Sequence, residues 1–471
     1  MHREQLLSIK RDDARQYSKS SKKWQAAVDS AVHISRLLAP RCREHGIEVM
    51  PQNTFSRREI VGLLGVGMAM PSFGFSSRTE FPFNIRTITA GIELASIDDI
   101  GRLKAVIRFL DNARTRFRDE GYVVQTIRVA TQPLSLYRRN WLNGETIEMI
   151  GALDAIAAEN GVMLNVGPVI NSDDYDPEFG AWTSELIRAT SATSLTVNVA
   201  SSDGGVHGKS VRAAADAIKQ VGRDTKGGEG NFRFAAIAHS PTRTPFYPAA
   251  FHEGPDAFGI GLESPNLLGA AVAGLSDRPG VVDLAEGGRR MTAALERAIG
   301  PIAEIAASIS NELDWNYNGV DVSPAPGVDA SIGKVIESLT GAPFGSSSTL
   351  SACAAVTSAI QGVSAETCGY SGLMLPPLED PVLARRMSEG RFGVQELLLY
   401  SSVCGTGLDV VPLPGSTTVD QLAALIHDVA SLANRWEKPL SARLFPVPGK
   451  AVGDAVSFDN PFMVDSHVVA P

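Results

Sequence analysis

The sequence predicts an α/β protein with a mostly parallel sheet covered by helices. Two observations carry this. Short β-branched runs alternate along the chain with longer segments of helical periodicity, and the alternation persists from about residue 83 nearly to the C-terminus. Hydrophobic residues make up 44% and charged residues 20% of the 471 positions, which is enough apolar material for a full-sized core.

The candidate strands, in order, are Ile85–Thr89, Tyr122–Ala130, Met163–Ile170, Leu195–Ala200 and Phe232–His239. They continue with Phe258–Leu262, Gly319–Ser323, Leu373–Pro376, Leu408–Leu413 and Arg443–Val447. Helices are expected over Ile97–Glu120, Thr146–Asn160, Val211–Val221, Thr292–Asn311, Ile332–Leu339, Leu350–Gln361 and Val419–Trp436. The last is the clearest. Thr418 and Gln421 have capping-box spacing, and Leu422, Leu425, Ile426, Val429 and Leu432 recur at the helical period. Asn171–Glu178 and Ser240–Gly254 read as long loops, the kind of segment on which sites concentrate. An open doubly wound sheet also fits the alternation.

The formal net charge is -9, without a long basic run. Nucleic acid and anionic membranes, which need a concentrated positive face, are therefore not expected partners. No run is long enough to span a bilayer. The expected partners are a small-molecule substrate and, in a homo-oligomer, further copies of this chain. The four cysteines, Cys42, Cys353, Cys368 and Cys404, have no zinc-site spacing and no disulfide framework.

Before the alternating body, Ser56-Arg57-Arg58 precedes the apolar, Gly-rich run Ile60–Met70, and Pro71 ends it. This resembles a twin-arginine export signal with its start at Met50. That reading divides the chain into an extension (1–49), a signal segment (50–79) and the body (80–471), and sends the body to the periplasm or beyond. The other reading makes residues 58–70 a buried helix of a cytoplasmic protein.

Several segments of the body resemble, in order, the uncharacterised family called domain of unknown function 711, or PFL-like after pyruvate formate-lyase. They are Asn84–Gly91, Ala250–Gly254, Gly319–Pro326, Tyr370–Leu373 and Val403–Asp409. The likeness spans roughly residues 83 to 460. It implies a ten-stranded β/α barrel like that of glycyl radical enzymes, following an N-terminal extension. It does not extend to the radical chemistry. No glycine follows Gly453, and the tail Ser457–Pro471 lacks the Arg-Val-x-Gly-Tyr pattern on which the radical is stored.

The candidate groups therefore point to non-redox acid–base chemistry, of the lyase, isomerase or hydrolase kind, on a small anionic substrate. His252 and Glu253 supply an imidazole and a carboxylate for proton transfer or for a divalent metal; a turn histidine is the plainer role. Asp321 interrupts an apolar strand and should face inward, as an orienting carboxylate, a metal ligand or a partner of Arg86. Cys404 and Asp409 are a second pair of candidates; a buried, inert thiol is the alternative for Cys404. Arg86 and the helix start at Ser346, Ser347 and Ser348 would hold the anion, unless the serines serve only as caps. There is no nucleotide-binding motif. The competing function is a non-catalytic, exported small-molecule binding protein.

Overall fold

The computed structural model describes residues 82–275 and 283–471. The described residues belong to one compact unit, 78–471. The extension and the export segment, expected over 1–49 and 50–79, lie outside the described residues.

The sheet has ten strands. Five of them run parallel and adjacent: β1 (Asn84–Ile92), β2 (Val124–Thr131), β3 (Val162–Ile170), β4 (Thr193–Ser201) and β6 (Phe234–Ala238). β5 (Gly205–Val206) is a two-residue hairpin partner of β4. On one side β7 (Ala257–Glu263) joins β1 antiparallel and carries β8 (Asn316–Asp321) parallel to itself. On the other, β10 (Leu440–Val447) joins β6 antiparallel and carries β9 (Gly407–Pro414) parallel to itself. The order is β8-β7-β1-β2-β3-β4-β6-β10-β9.

This corrects two expectations. β8 and β9 are the ends of the sheet and do not pair with each other, so strand pairing does not close a barrel. Leu373–Pro376 is also not a strand. Pro376 and Pro377 have no N–H to donate to a ladder, and the segment runs without regular structure into a turn. The stretch leading into it, Glu366–Leu373, touches both ends of the sheet. Cys368 N donates to Val320 O on β8, Val320 N donates to Glu366 O, and Gly405 N, just before β9, donates to Leu373 O. Gly372 and Gly405 meet so closely that a Cβ on either would lie 2.4 Å from the other's Cα.

Helices alternate with the strands because their apolar stripes need the sheet. In α1 (Ile100–Asp119), Leu103, Val106, Leu110, Ala113 and Phe117 form a buried stripe, and Asp99 caps its start. The helix Val419–Trp436 begins as its spacing demands. Thr418 Oγ1 accepts from Gln421 N at 3.2 Å, and Gln421 Oε1 accepts from Thr418 N at 2.9 Å.

The long loop Ser240–Gly254 is not a surface excursion. It lies across the inner strands, where Thr89 Oγ1 donates to Pro245 O (2.7 Å) and Asn165 Nδ2 to Pro248 O (2.5 Å). The Tyr247 hydroxyl donates to Val129 O and Met163 O. Phe246 packs on Gly261, where a Cβ would stand 2.7 Å from the ring. Glycine at 261 is therefore what lets the loop settle onto β7.

Candidate functional site

The loop's Phe246 and Tyr247 form one wall of a small cavity of about 60 Å³. The facing walls carry an unusual set of charges: Arg86 from β1, Arg128 from β2, Asp409 from β9, Arg443 from β10 and Glu379 from the turn before the helix Pro381–Ser388. Arg86, Arg128, Glu379 and Arg443 are each 6% exposed. Charged side chains are rarely this buried without partners.

Two of the arginines reach the cavity from irregular points in their strands. The register of β1 against β7 slips between Ile85 and Thr87, and that of β10 against β9 slips between Ala442 and Leu444. Each slip falls on the arginine between them. Strict alternation would put Arg86 and Thr89 on opposite faces, yet Thr89 bonds the inner loop and Arg86 lines the same interior. A local irregularity of this kind re-aims a side chain. Beside Asp409, Val410 has φ 45°, a left-handed conformation that costs a β-branched residue about 1–3 kcal/mol.

Five of the charges form an alternating ladder. Arg86 bridges Glu263 (3.0 Å) and Glu379 (3.3 Å), and Arg443 bridges Glu379 (2.7 Å) and Asp409 (2.7 Å). Glu263 also accepts from Asn84 Nδ2 and Gln125 Nε2, both at 2.8 Å. Burial pushes the Glu379 carboxyl above its ordinary range; Arg443 and Arg86 oppose the shift and Asp409 adds to it.

Arg128 stands apart from the ladder. Its Nε donates to Thr126 Oγ1 (3.1 Å), and its guanidinium carbon lies 5.0 Å from the centre of the Tyr247 ring. Among the described residues no carboxylate pairs with it and no acceptor meets its terminal nitrogens. Burial, and after it the Arg86 charge, push Arg128 down to about 9, so it remains a cation at neutral pH. Arg233 also lines the cavity, but its terminal nitrogens are directed to Thr190 Oγ1 and to the carbonyls of Ile187, Thr190 and Thr193.

Aromatic rings cover the two ladder arginines. The Arg86 guanidinium lies 4.7 Å from the centre of Phe462 and that of Arg443 4.9 Å from Phe232, and these two rings are parallel. Met163, Met374 and Pro326 add apolar wall.

Of the residues singled out in the sequence, Arg86 and Asp409 meet in this cavity, with Glu379 and Arg443 between them along the ladder. The others do not line it. His252 is buried, with Nε2 on the carbonyls of Gly254 (3.1 Å) and Pro255 (2.9 Å) and its ring against Gly91. Glu253 is exposed. Asp321 is fully buried and does not pair with Arg86; its oxygens accept the backbone amides of Ser323, Tyr370 and Ser371 at 2.8–3.0 Å. Burial pushes Asp321 up to about 6 against those donors. Cys404 is buried in the apolar core, and Lys438 Nζ donates to its carbonyl at 2.7 Å. Ser347 and Ser348 are exposed and Ser346 half-buried. Ser348 precedes the helix Thr349–Gln361 without a side-chain capping bond.

Sequence reasoning missed Arg128, Glu263, Glu379 and Arg443. Arg128 and Arg443 did carry a signal: each stands between two apolar residues within a strand, Ile127-Arg128-Val129 and Ala442-Arg443-Leu444. Glu379, in a turn after two prolines, carried none. Among the described residues no cluster of three His, Cys, Asp or Glu side chains has metal-site geometry, and no helix is long and apolar enough to cross a membrane.

Comparison with known proteins places these residues in a family. The family model described as "Uncharacterised ACR (DUF711)" matches residues 79–459. A UPF0210 protein from Desulforudis audaxviator is 29% identical over 405 residues, covering 80% of this chain and 89% of the relative. One from Pyrobaculum aerophilum is 31% identical over 357 residues, covering 71% and 76%. One from Carboxydothermus hydrogenoformans is 27% identical over 413 residues, covering 80% and 89%. All the ladder residues and Arg128 fall inside the matched span, and Phe462 lies just beyond it.

Proposed function

The chain belongs to the DUF711 family, and from the cavity we propose that it binds a small monoanionic carboxylate, with Arg128 as the group that receives it. The observation that carries this reading is the buried Arg128 guanidinium, whose terminal nitrogens have no partner among the described residues. A guanidinium is a planar fork that matches a carboxylate with two parallel hydrogen bonds. The cost of holding such a group buried and unpaired is recovered when an anion arrives.

Charge selects a monoanion over a dianion. Arg86, Arg128 and Arg443 balance Glu263, Glu379 and Asp409, while Arg233 interacts with Asp154 and Glu229, so each further negative charge on a ligand adds to the imbalance. The apolar walls (Phe246, Met163, Met374 and Pro326) suit a ligand with a hydrocarbon body.

The reaction class this arrangement supports is acid–base chemistry: a carboxylate substrate would lie beside titratable carboxyls in a water-poor site. The raised affinity of Glu379 for its proton favours this over passive binding. The test is isothermal titration of the full chain with benzoate, sulfate and inorganic phosphate, repeated with Arg128→Met. Benzoate should bind best and weaken at least ten-fold in the variant. Equal benzoate binding by both proteins, or binding of no anion, overturns the reading.

The barrel reading is part of the same proposal. Glu366–Leu373 takes the place of a tenth barrel strand and links β8 to the start of β9. The export reading of residues 50–79 has its own test, fusion of residues 50–80 to a folded reporter. Export that survives Arg57→Lys with Arg58→Lys sinks it.

A further inference from the structure

We propose that Glu379 is the proton-exchanging group of the cavity, so that seating a carboxylate on Arg128 brings a proton from solvent onto a Glu379 carboxylate oxygen. The proposal rests on the anion reading above and goes beyond it by coupling the site to pH. No bond in the bound carboxylate changes in this step. The proton passes from water or buffer to Glu379, and the complex keeps the net charge of the empty cavity.

Glu263, Arg86, Glu379, Arg443 and Asp409 alternate in sign, with two cations for three carboxylates. Arg128 is the sixth charge and makes three cations for three carboxylates; the fourth arginine of the lining, Arg233, interacts with Asp154 and Glu229 instead. Arg128 touches no member of the ladder, but it lies close enough for Arg86, Arg443 and Glu379 to bear on its charge. A ligand carboxylate that takes up the Arg128 charge leaves the ladder with one negative charge uncompensated in a low-dielectric cavity. A proton is the smallest remedy.

The three carboxylates differ in their donors and their place in the ladder. Glu263 accepts from Arg86, Asn84 Nδ2 and Gln125 Nε2. Asp409 is the most exposed of the three at its side chain and keeps a 2.7 Å bond to Arg443. Glu379 has guanidinium donors only, one of them at 3.3 Å, and lies in the middle, between the other two carboxylates. The groups facing it are Arg86 from β1, Arg128 from β2, Glu263 from β7, Asp409 from β9 and Arg443 from β10. Burial already holds its proton affinity above the ordinary carboxylate value. A new negative charge nearby pushes in the same direction.

The experiment is titration of the full chain with benzoate, which stays ionised near neutral pH. It is done in bis-Tris, imidazole and Tris buffers, whose ionisation enthalpies differ. For wild type the apparent binding enthalpy should vary with buffer enthalpy at a slope approaching one proton taken up per benzoate. Affinity should fall about ten-fold per pH unit wherever that slope is one. Glu379→Gln should still bind benzoate, with the slope abolished and affinity independent of pH. Wild-type binding with zero slope overturns this inference and leaves the anion reading intact. Absence of benzoate binding removes the anion reading, and this inference with it. A slope that survives in Glu379→Gln, or one that disappears in Asp409→Asn or Glu263→Gln instead, places the proton elsewhere and overturns it. Should Glu379→Gln fail to fold, those two reciprocal variants still decide. Slopes that persist in both support Glu379.

Discussion

Glu379 and Asp321 are both buried carboxylates, and burial raises the proton affinity of both. Their surroundings differ in kind. Asp321 is gripped by backbone amides of Ser323, Tyr370 and Ser371, whereas Glu379 is gripped by two arginine side chains at a cavity wall. Amides fixed in the chain cannot leave without unfolding the turn that presents them, so Asp321 serves as a brace. Guanidinium groups on flexible stems can exchange partners when a ligand arrives, so the cavity can respond. A carboxylate inside a strand is therefore not by itself a sign of chemistry; what satisfies it decides the matter.

The contrast can be broken by mutation, and the largest effect should come from the ladder. Glu379→Ala leaves Arg86 without one partner and Arg443 without one, and should destabilise the fold by about 3–5 kcal/mol, the usual consequence of breaking a buried charge pair. Urea denaturation followed by circular dichroism measures it. A loss below about 1 kcal/mol would mean that the ladder rearranges freely.

Arg128→Met should separate binding from stability. Losing a two-bond guanidinium–carboxylate contact should cost about 2–3 kcal/mol of benzoate affinity, or roughly a hundred-fold. The melting temperature without ligand should rise, because an unpaired buried charge is replaced by an apolar side chain of similar length. A fall in melting temperature would show that Arg128 braces the fold as Asp321 does.

Asp321→Asn sharpens the other side. The new amide nitrogen must face one of three N–H donors, so the variant should be less stable than wild type by about 1–3 kcal/mol at pH 4. The gap should then narrow as pH rises. Folded Asp321 titrates at about 6 against an ordinary 3.8, so its contribution is full below the unfolded value and is lost as pH climbs through the folded one. Unfolding curves for both proteins between pH 4 and pH 7 test the sign; a widening gap contradicts it.

The smallest effect belongs to a local device. Thr418→Ala removes half of the capping box and should cost about 1 kcal/mol in the same denaturation assay, with benzoate binding unchanged.

These differences also explain what could be read from the sequence. Val419–Trp436 and its cap were legible because every determinant lies within a few residues. The strands from Ile85 to Val447 were legible because β-branched runs between turn residues are local signals, and Leu373–Pro376 misled because its prolines matter only once a neighbouring ladder exists. The cavity was legible in part. Arg86 was legible as a cation inside the strand Ile85–Thr89, and Asp409 as part of the family-like segment Val403–Asp409. Arg128 and Arg443 each stand between two apolar residues within a strand, but nothing local said that bulges and strand order would bring them together. Glu379 and Arg86 are 293 positions apart, and only the sheet makes them neighbours. His252 looked like an acid–base group because of its residue type. Its geometry ties Nε2 to two carbonyls of its own turn.

The segment Glu366–Leu373 has one further consequence. A sheet that ends in β8 presents a row of unsatisfied amides and carbonyls, a template on which another chain can lay a strand. Here Val320 spends both of its backbone groups on Glu366 and Cys368, and Leu373 takes the amide of Gly405 at the opposite end. The stretch Glu366–Cys368 thus occupies the edge of β8 at Val320. An edge strand already occupied at Val320 is a poorer seed for intermolecular β-pairing.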